Sequence, residues 1–370
     1  MTSHRSPSRF LPTAGLGAFI LCAGALAATA ADWAGKAKWD GIVSAARNEG
    51  RLVVAGPTGR TWRDVLARFQ KDYPDVKISV TPFAGRDFWP KVLKEREVSK
   101  HLWDVRVGGA TAAAWQLSSQ GGIAEVRPML MLPEVTDEKN WHGGFQHMFL
   151  DRGKKFFPTF CIYESTFAYF NRDFIKQEEF ELKEMLDPKW KGKISMAEPS
   201  EGSASITMAM LLKDTRYGKP FIRALIEEQK PVITRNERQL MDWFVSGRYP
   251  VSIGIPGSFI RLYRQRGVTL NIGEVTGLKR WSPGVCGIQV LNPRPHPNAT
   301  IVFVNWLLSR KTQEMIMPLV GLNSRMQGVP MADPAHKIDF DKLDEYESGQ
   351  TEEFHVQQRE ARDFVKALTR

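Results

Sequence analysis

The chain has 370 residues, with 42% hydrophobic and 25% charged, and its 51 Lys+Arg against 41 Asp+Glu give a formal net charge of +10. That length is more than one hydrophobic core usually supports, which makes two lobes the expectation. A basic balance suits nucleic acid, anionic lipid or an anionic solute, but the basic residues are spread along the chain instead of clustering, so no nucleic-acid partner is expected and the anionic solute is kept.

Residues 1–30 open with His4, Arg5 and Arg9, run apolar and small from Phe10, and end in Ala28-Thr29-Ala30, the pattern of a secretory signal peptide cut near Ala30. The apolar segment is short, rich in Gly and Ala, and followed by no stop-transfer charges, which argues against an anchor. Cys22 follows Phe19-Ile20-Leu21 and not the small residues of a lipoprotein signal. The mature protein is therefore expected outside the cytoplasm. After cleavage only Cys161 and Cys286 remain, free to pair or to stay as two buried thiols.

Trp39, Ile42, Val43 and Ala46 recur near helical spacing, and that helix stops at Glu49-Gly50. Residues 51–55 read as a strand and 56–60 as a tight loop. A helix follows with Trp62, Val65, Leu66 and Phe69 on its apolar face, broken by Pro74. Strands are expected at 76–80 and 104–107, with a helix from Asp87 between them. Gly108-Gly109-Ala110-Thr111 then turns into another helix. After an aromatic-rich middle, residues 162–170 read as one or two strands.

Residues 193–197 predict a short buried strand and 199–202 a turn, and Ser203, Ala204 and Ser205 open a helix running to Lys213. Helices at 219–228 and 237–246 alternate with strands at 231–234 and 249–255, and Pro256-Gly257 starts one more helix. Repeated strand, glycine-bearing loop and helix is the signature of a mostly parallel sheet with helices on its faces. Ligands of such sheets bind outside the carboxyl ends of the strands. A late strand at 285–291 and an apolar helix at 299–308 follow. Phe354, Ala361, Phe364, Val365 and Leu368 share one stripe, which predicts a docked C-terminal helix.

No His-Glu-x-x-His, Cys-x-x-Cys, Gly-x-Ser-x-Gly, P-loop or dinucleotide fingerprint occurs. His142 and His147 flank Gly143-Gly144 without a companion carboxylate at ligand spacing, short of a metal site. Nothing argues for an enzyme, and no cofactor is expected.

Several segments in combination carry a resemblance. These are Glu95-Arg96 before Asp104-Val105, Phe170-Asn171-Arg172, the run Leu186-Asp187-Pro188-Lys189-Trp190-Lys191-Gly192-Lys193-Ile194, Ser246-Gly247-Arg248-Tyr249-Pro250-Val251, and Leu307-Leu308-Ser309-Arg310-Lys311-Thr312-Gln313. Over residues 50–330 the chain resembles the periplasmic solute-binding proteins of ABC transporters, in the branch holding ferric-iron, phosphonate, sugar-phosphate, thiamine and polyamine binders. The resemblance implies an α/β fold of type II, with two α/β lobes, a hinge and an interlobe cleft that closes around the solute. The expected division is 31–165 with 283–370 as lobe one, including the C-terminal helix, and 166–282 as lobe two. A periplasmic location follows from the resemblance, with a permease of the inner membrane as the implied partner of a monomeric binding protein.

Ferric binders of this branch carry adjacent tyrosines where this chain reads Ile255-Pro256-Gly257-Ser258-Phe259, with Tyr263 alone further on. A hard trivalent cation needs anionic oxygen ligands, so the expected solute is a small organic anion, a carboxylate, phosphate or phosphonate ester. Ferric iron is the alternative, and an exported enzyme on the same scaffold is the reading from another class. The candidate contacts are Thr58, Gly59 and Arg60; Gly109, Ala110 and Thr111; Ser203, Ala204 and Ser205; Arg235 and Asn236; and Gly257. They supply N–H donors, hydroxyls and guanidiniums suited to an anion. Arg60 and Arg235 are the charge partners, with Arg86 in reserve, and Tyr163 and Trp281 offer a stacking wall.

Overall fold

Gly50, at φ 64°, ends the helix Lys36–Glu49, and β1 (Arg51–Gly56) follows directly, with Leu52, Val54 and Ala55 fully buried. The left-handed conformation suits glycine, which has no Cβ to clash, and it turns the chain from helix to strand in one residue. These features belong to a computed structural model that describes residues 33–369, so the signal peptide expected over 1–30 lies outside the described residues. Among the described residues, no helix is long and apolar enough to cross a membrane.

β1 pairs in parallel with β2 (Lys77–Pro82) and with β3 (Val105–Val107). The chain then runs through β4 (Tyr163–Glu164) into a second sheet made from β5 (Ala168–Asn171), β6 (Phe180–Glu181), β7 (Ile194–Ala197), β8 (Val232–Thr234), β9 (Val251–Ile253) and β10 (Ile272–Thr276). It returns through β11 (Arg280–Ser282) to β12 (Ile288–Val290), which lies antiparallel to β3. The first sheet has the order β12-β3-β1-β2 and the second β6-β10-β5-β9-β7-β8. β13 (Glu347–Ser348) joins β11 and β4 in a small third sheet of order β13-β11-β4.

Each large sheet buries its own apolar cluster. Val54, Val105 and Ile288 pack with Phe303 and Trp306 of the helix Pro297–Leu308. Phe170, Met196 and Ile253 pack with Met208 and Leu211 of the helix Gly202–Lys213. Full burial of such side chains contributes about 1.5–3 kcal/mol each.

The expected C-terminal helix is present as Glu352–Leu368, with Phe354, Ala361 and Val365 buried as the stripe requires. It departs from expectation in its place. Those three residues join the second sheet's cluster, and Gln358 reaches Ser205 on the helix Gly202–Lys213. The helix thus packs against the second sheet's cluster, whereas the expected division counted it with residues 31–165. β13 brings the chain a third time alongside β11 and β4. The two cysteines, left open by the sequence, form a disulfide, Cys161–Cys286.

Candidate functional site

Loops at the carboxyl ends of β1 and β3 hold the first group of candidate residues. After β1, Thr58 is exposed and Gly59 takes φ 105° before the helix Arg60–Leu66. Arg60 pairs with Asp64 at 3.3 Å, its side chain 85% exposed, so its charge is shared within its own helix. After β3, the Ala110 N–H donates to Gln350 Oε1 at 3.0 Å. Thr111 caps the helix Ala112–Ser119 by accepting from the Ala114 N–H at 3.4 Å. A Cβ at Gly109 would stand 2.9 Å from the Gly284 carbonyl oxygen and 3.1 Å from Gln350 Oε1. That close approach accounts for a glycine here.

Beneath these loops lies Arg106, 3% exposed. Its Nη1 donates to the Gly56 carbonyl at 2.6 Å and Nη2 to the Phe83 carbonyl at 3.0 Å, and its guanidinium stands 5.3 Å from the Phe88 ring centre. Desolvation lowers its pKa to about 10. The residue ties the ends of β1 and β2 to β3 and places a fixed positive charge under the loop cluster.

The second group lies at the ends of β7, β8 and β9. Ser203 donates to the Gly254 carbonyl at 2.7 Å. Ala204 is fully buried, and a Cβ at Gly254, which has φ +87°, would come within 3.0 Å of its methyl carbon. Ser205 donates to the Gly202 carbonyl at 2.9 Å and accepts from Gln358 Nε2 at 2.8 Å. Asn236 caps the helix Glu237–Val245, accepting from the N–H groups of Arg238 and Gln239. Arg235, 73% exposed, lies 3.6 Å from Glu198 and 3.8 Å from Glu201. Gly257 is exposed at the start of the helix Gly257–Gln265. Arg86 falls in the helix Gly85–Glu97, its side chain outside the described part of the structure.

Gly349 and Gln350 connect the two groups. Gln350 holds Ala110 on one side, and a Cβ at Gly349 would meet Ile206 Cγ2 of the helix Gly202–Lys213 at 2.3 Å on the other. Residues 349 and 350 thus lie between the Gly109 and Ala110 loop and the helix Gly202–Lys213, and Ala110, Thr111, Ser203, Ser205 and Asn236 already spend polar groups on the protein itself.

The small third sheet supplies a residue that the sequence pattern does not single out. In the register of β4 against β11, Ser282 faces Tyr163 and Trp281 faces Glu164. Side chains alternate along a strand, so Tyr163, Ser165, Arg280 and Ser282 share one face. Arg280 is 8% exposed; its Nη2 donates to Ser165 Oγ at 2.7 Å, and its Nη1 is buried with no hydrogen-bond partner. Desolvation lowers its pKa, with Tyr163 and Tyr169 acting the other way. Trp281 turns to the opposite face, where the Arg325 guanidinium stands 4.8 Å from its ring. It is a buried core residue, so of the expected stacking wall only the half-buried Tyr163 remains.

A family model described as bacterial extracellular solute-binding protein matches residues 64–335. No curated protein matches the chain. Among solved structures, the fold is similar to iron-bound HitA from Pseudomonas aeruginosa, with TM-score 0.63 and 18% identity over 86% of this chain and 99% of that one. It is similar to the Trichodesmium protein IdiA (FutA) in complex with iron and citrate, with TM-score 0.64 and 15% identity over 86% and 99%. The substrate-binding protein of an ABC transporter from Agrobacterium tumefaciens gives TM-score 0.64 and 14% identity over 88% and 97%. At these identities the likeness is one of fold, that of the type II binding proteins.

Proposed function

The chain belongs to the bacterial extracellular solute-binding protein family, and from that premise we propose that it captures a small organic anion between two lobes and delivers it to the permease of an ABC importer. The lobes of this reading are built on the first and second sheets, with residues 166–282 forming the second. The C-terminal helix packs on that second lobe. The third sheet, where the chain passes between the two, is the hinge.

The observation that carries the anion reading is the burial of guanidiniums beside these loops without a carboxylate. Arg106 is held by two carbonyls and Arg280 by one hydroxyl. An uncompensated cation in a poorly hydrated place attracts an anion and repels a bare metal cation.

Ferric iron is the second reading, favoured by the iron-bound neighbours HitA and the Trichodesmium protein. Against it, the described residues hold no group of three or more His, Cys, Asp or Glu placed for a metal ion, and the Tyr263 hydroxyl donates to Asp242 at 2.6 Å. Thermal-shift measurements on the exported protein, with carboxylates, phosphonates, sugar phosphates, ferric iron and ferric citrate as separate arms, test the choice. The proposal expects stabilisation by at least one anion in the absence of iron. A response to iron alone, with none to any free anion, overturns it.

A further inference from the structure

We propose that Arg280 is the charge-recognising residue of the solute site, its unpaired Nη1 receiving an oxygen of a carboxylate, phosphate or phosphonate group beside Tyr163 and Ser165. This rests on the anion reading above and goes beyond it by assigning the recognition to one guanidinium on the hinge sheet.

Three buried arginines each keep an unpaired guanidinium nitrogen, Nε of Arg106, Nε and Nη2 of Arg325, and Nη1 of Arg280, and they differ in what their remaining nitrogens bond. Arg106 donates to two backbone carbonyls and lies by the Phe88 ring. Arg325, wholly buried, donates to the His142 carbonyl at 3.3 Å and lies over the Trp281 ring. Backbone carbonyls and ring faces are permanent, partly negative partners. Arg280 has instead a single hydroxyl, Ser165 Oγ, which accepts or donates as its surroundings require. The carboxylates nearest in register are committed elsewhere. Glu347, paired with Arg280 along β13, binds Lys213 at 2.5 Å, and Glu164 lies on the opposite face of β4.

A buried cation left unpaired is costly, and it persists where something intermittent completes it. Position argues the same way. Tyr163 and Ser165 are half-buried and not sealed in the core. On the same side, Gly284 stands against the Tyr163 hydroxyl and its carbonyl accepts from Gln350 Nε2 at 3.0 Å, next to the Gly109 and Ala110 loop. The planar fork of a guanidinium matches a carboxylate or phosphate edge in two parallel hydrogen bonds, with Nη2 exchanging Ser165 for the solute.

The test is calorimetric titration of the wild-type protein, Arg280→Lys, Arg280→Met and, as a surface control, Arg47→Gln, whose side chain is exposed on the first helix, with citrate, inorganic phosphate and glycerol 3-phosphate as probes. Thermal unfolding of each variant without ligand runs in parallel. For the probe that binds the wild type, the expected loss is about tenfold in Arg280→Lys, which keeps charge but not the fork, and about a hundredfold in Arg280→Met, the range of a lost charge-assisted pair. Arg47→Gln should bind within about twofold of wild type, as suits an exposed charge.

The ligand-free melting temperature separates recognition from a merely structural role. It should hold or rise in Arg280→Met, because an unpaired buried charge has been removed. Should Arg280→Met not fold, the structural role is the correct one and the proposal is overturned. It is overturned equally if both variants bind the probe as the wild type does. If the wild type binds iron and none of these anions, it is the solute reading itself that fails.

Discussion

Gln350 joins two backbones that lie far from it in sequence, its Oε1 accepting the Ala110 N–H at 3.0 Å and its Nε2 donating to the Gly284 carbonyl at 3.0 Å. Ala110 belongs to the loop after β3 and Gly284 to the connection leaving β11. One carboxamide therefore pins the third passage of the chain to both. Gln350→Ala leaves a part-buried donor and an acceptor without partners, and unsatisfied groups of this kind cost about 1–3 kcal/mol. Denaturant unfolding should show a lowered midpoint with an unchanged slope. A midpoint equal to wild type would mean that water replaces the carboxamide in full.

His336 makes a second long-range contact, with a pH signature. Its Nε2 lies 3.5 Å from Glu274 Oε1 on β10, and its Nδ1 lies 2.9 Å from Asp333 Oδ2. The Glu274 bond foremost, and then Asp333, raise its pKa against the opposing effect of burial. Thr166 donates to the same Glu274 carboxylate. A histidine with a raised folded-state pKa contributes stability that is complete below its unfolded value, about 6.5, and is lost as pH rises through the folded value. Urea midpoints of wild type and His336→Gln should therefore lie well apart at pH 5.5 and converge toward pH 8.5. Parallel curves across that range would remove His336 from the account.

His142 carries the opposite sign. Burial foremost, then the positive charges of Arg325 and Lys337, lower its pKa to about 4, and its ring stacks on Phe340 at 3.6 Å. Between about pH 6.5 and 4 the unfolded chain binds a proton here that the folded protein refuses, so stability falls as pH falls through that window. His142→Phe should flatten that acid slope while keeping an aromatic ring against Phe340. A slope equal to wild type between pH 6 and 4.5 would count against this assignment.

The sequence made the alternation of strands and helices legible, since periods of two and 3.6 survive wherever one face is buried. The sheet β7, β8, β9 and the helix Gly202–Lys213 stand close to where that periodicity puts them. The loops were legible for the same reason, because carboxyl ends of parallel strands follow from strand direction. What was not legible is how those loops spend their polar groups. Ala110 meets Gln350 across 240 residues and Ser205 meets Gln358 across 153, and no local pattern carries such pairings. β10 has a glycine inside it, and β13 is two residues long. Arg280 sits in a strand of three residues with no periodicity to mark which way it points.

The disulfide is the covalent counterpart of these long-range contacts. Cys161 and Cys286 lie 5.4 Å apart at Cα, are separated by 125 residues, and are both fully buried. Cys161 directly precedes the approach to β4, and Cys286 lies between β11 and β12, so the bond ties the chain entering β4 to the chain leaving β11. Cross-linking a long loop restricts the unfolded chain, and its removal costs about 2–5 kcal/mol. A Cys161→Ala, Cys286→Ala double variant should lose that much in chemical unfolding. If wild type and variant unfold at the same denaturant concentration, the bond contributes geometry and not stability.

Gly108 offers the sharpest probe of the charge beneath the loops after β1 and β3. A Cβ there would stand 2.8 Å from Arg106 Cζ, Nε and Nη2, closer than real methyl contacts allow. The guanidinium cannot swing aside freely, because the Gly56 and Phe83 carbonyls hold it on one side and Phe88 packs on the other. Gly108→Ala should therefore destabilise by about 1–3 kcal/mol, the usual penalty for overpacking a filled site. The cause is tested by combining it with Arg106→Met. If the methyl acts by displacing the guanidinium, the two losses fall short of adding by more than about 0.5 kcal/mol, the signature of residues in direct contact. Additive losses would place the strain of Gly108→Ala in the backbone and leave the guanidinium where it is.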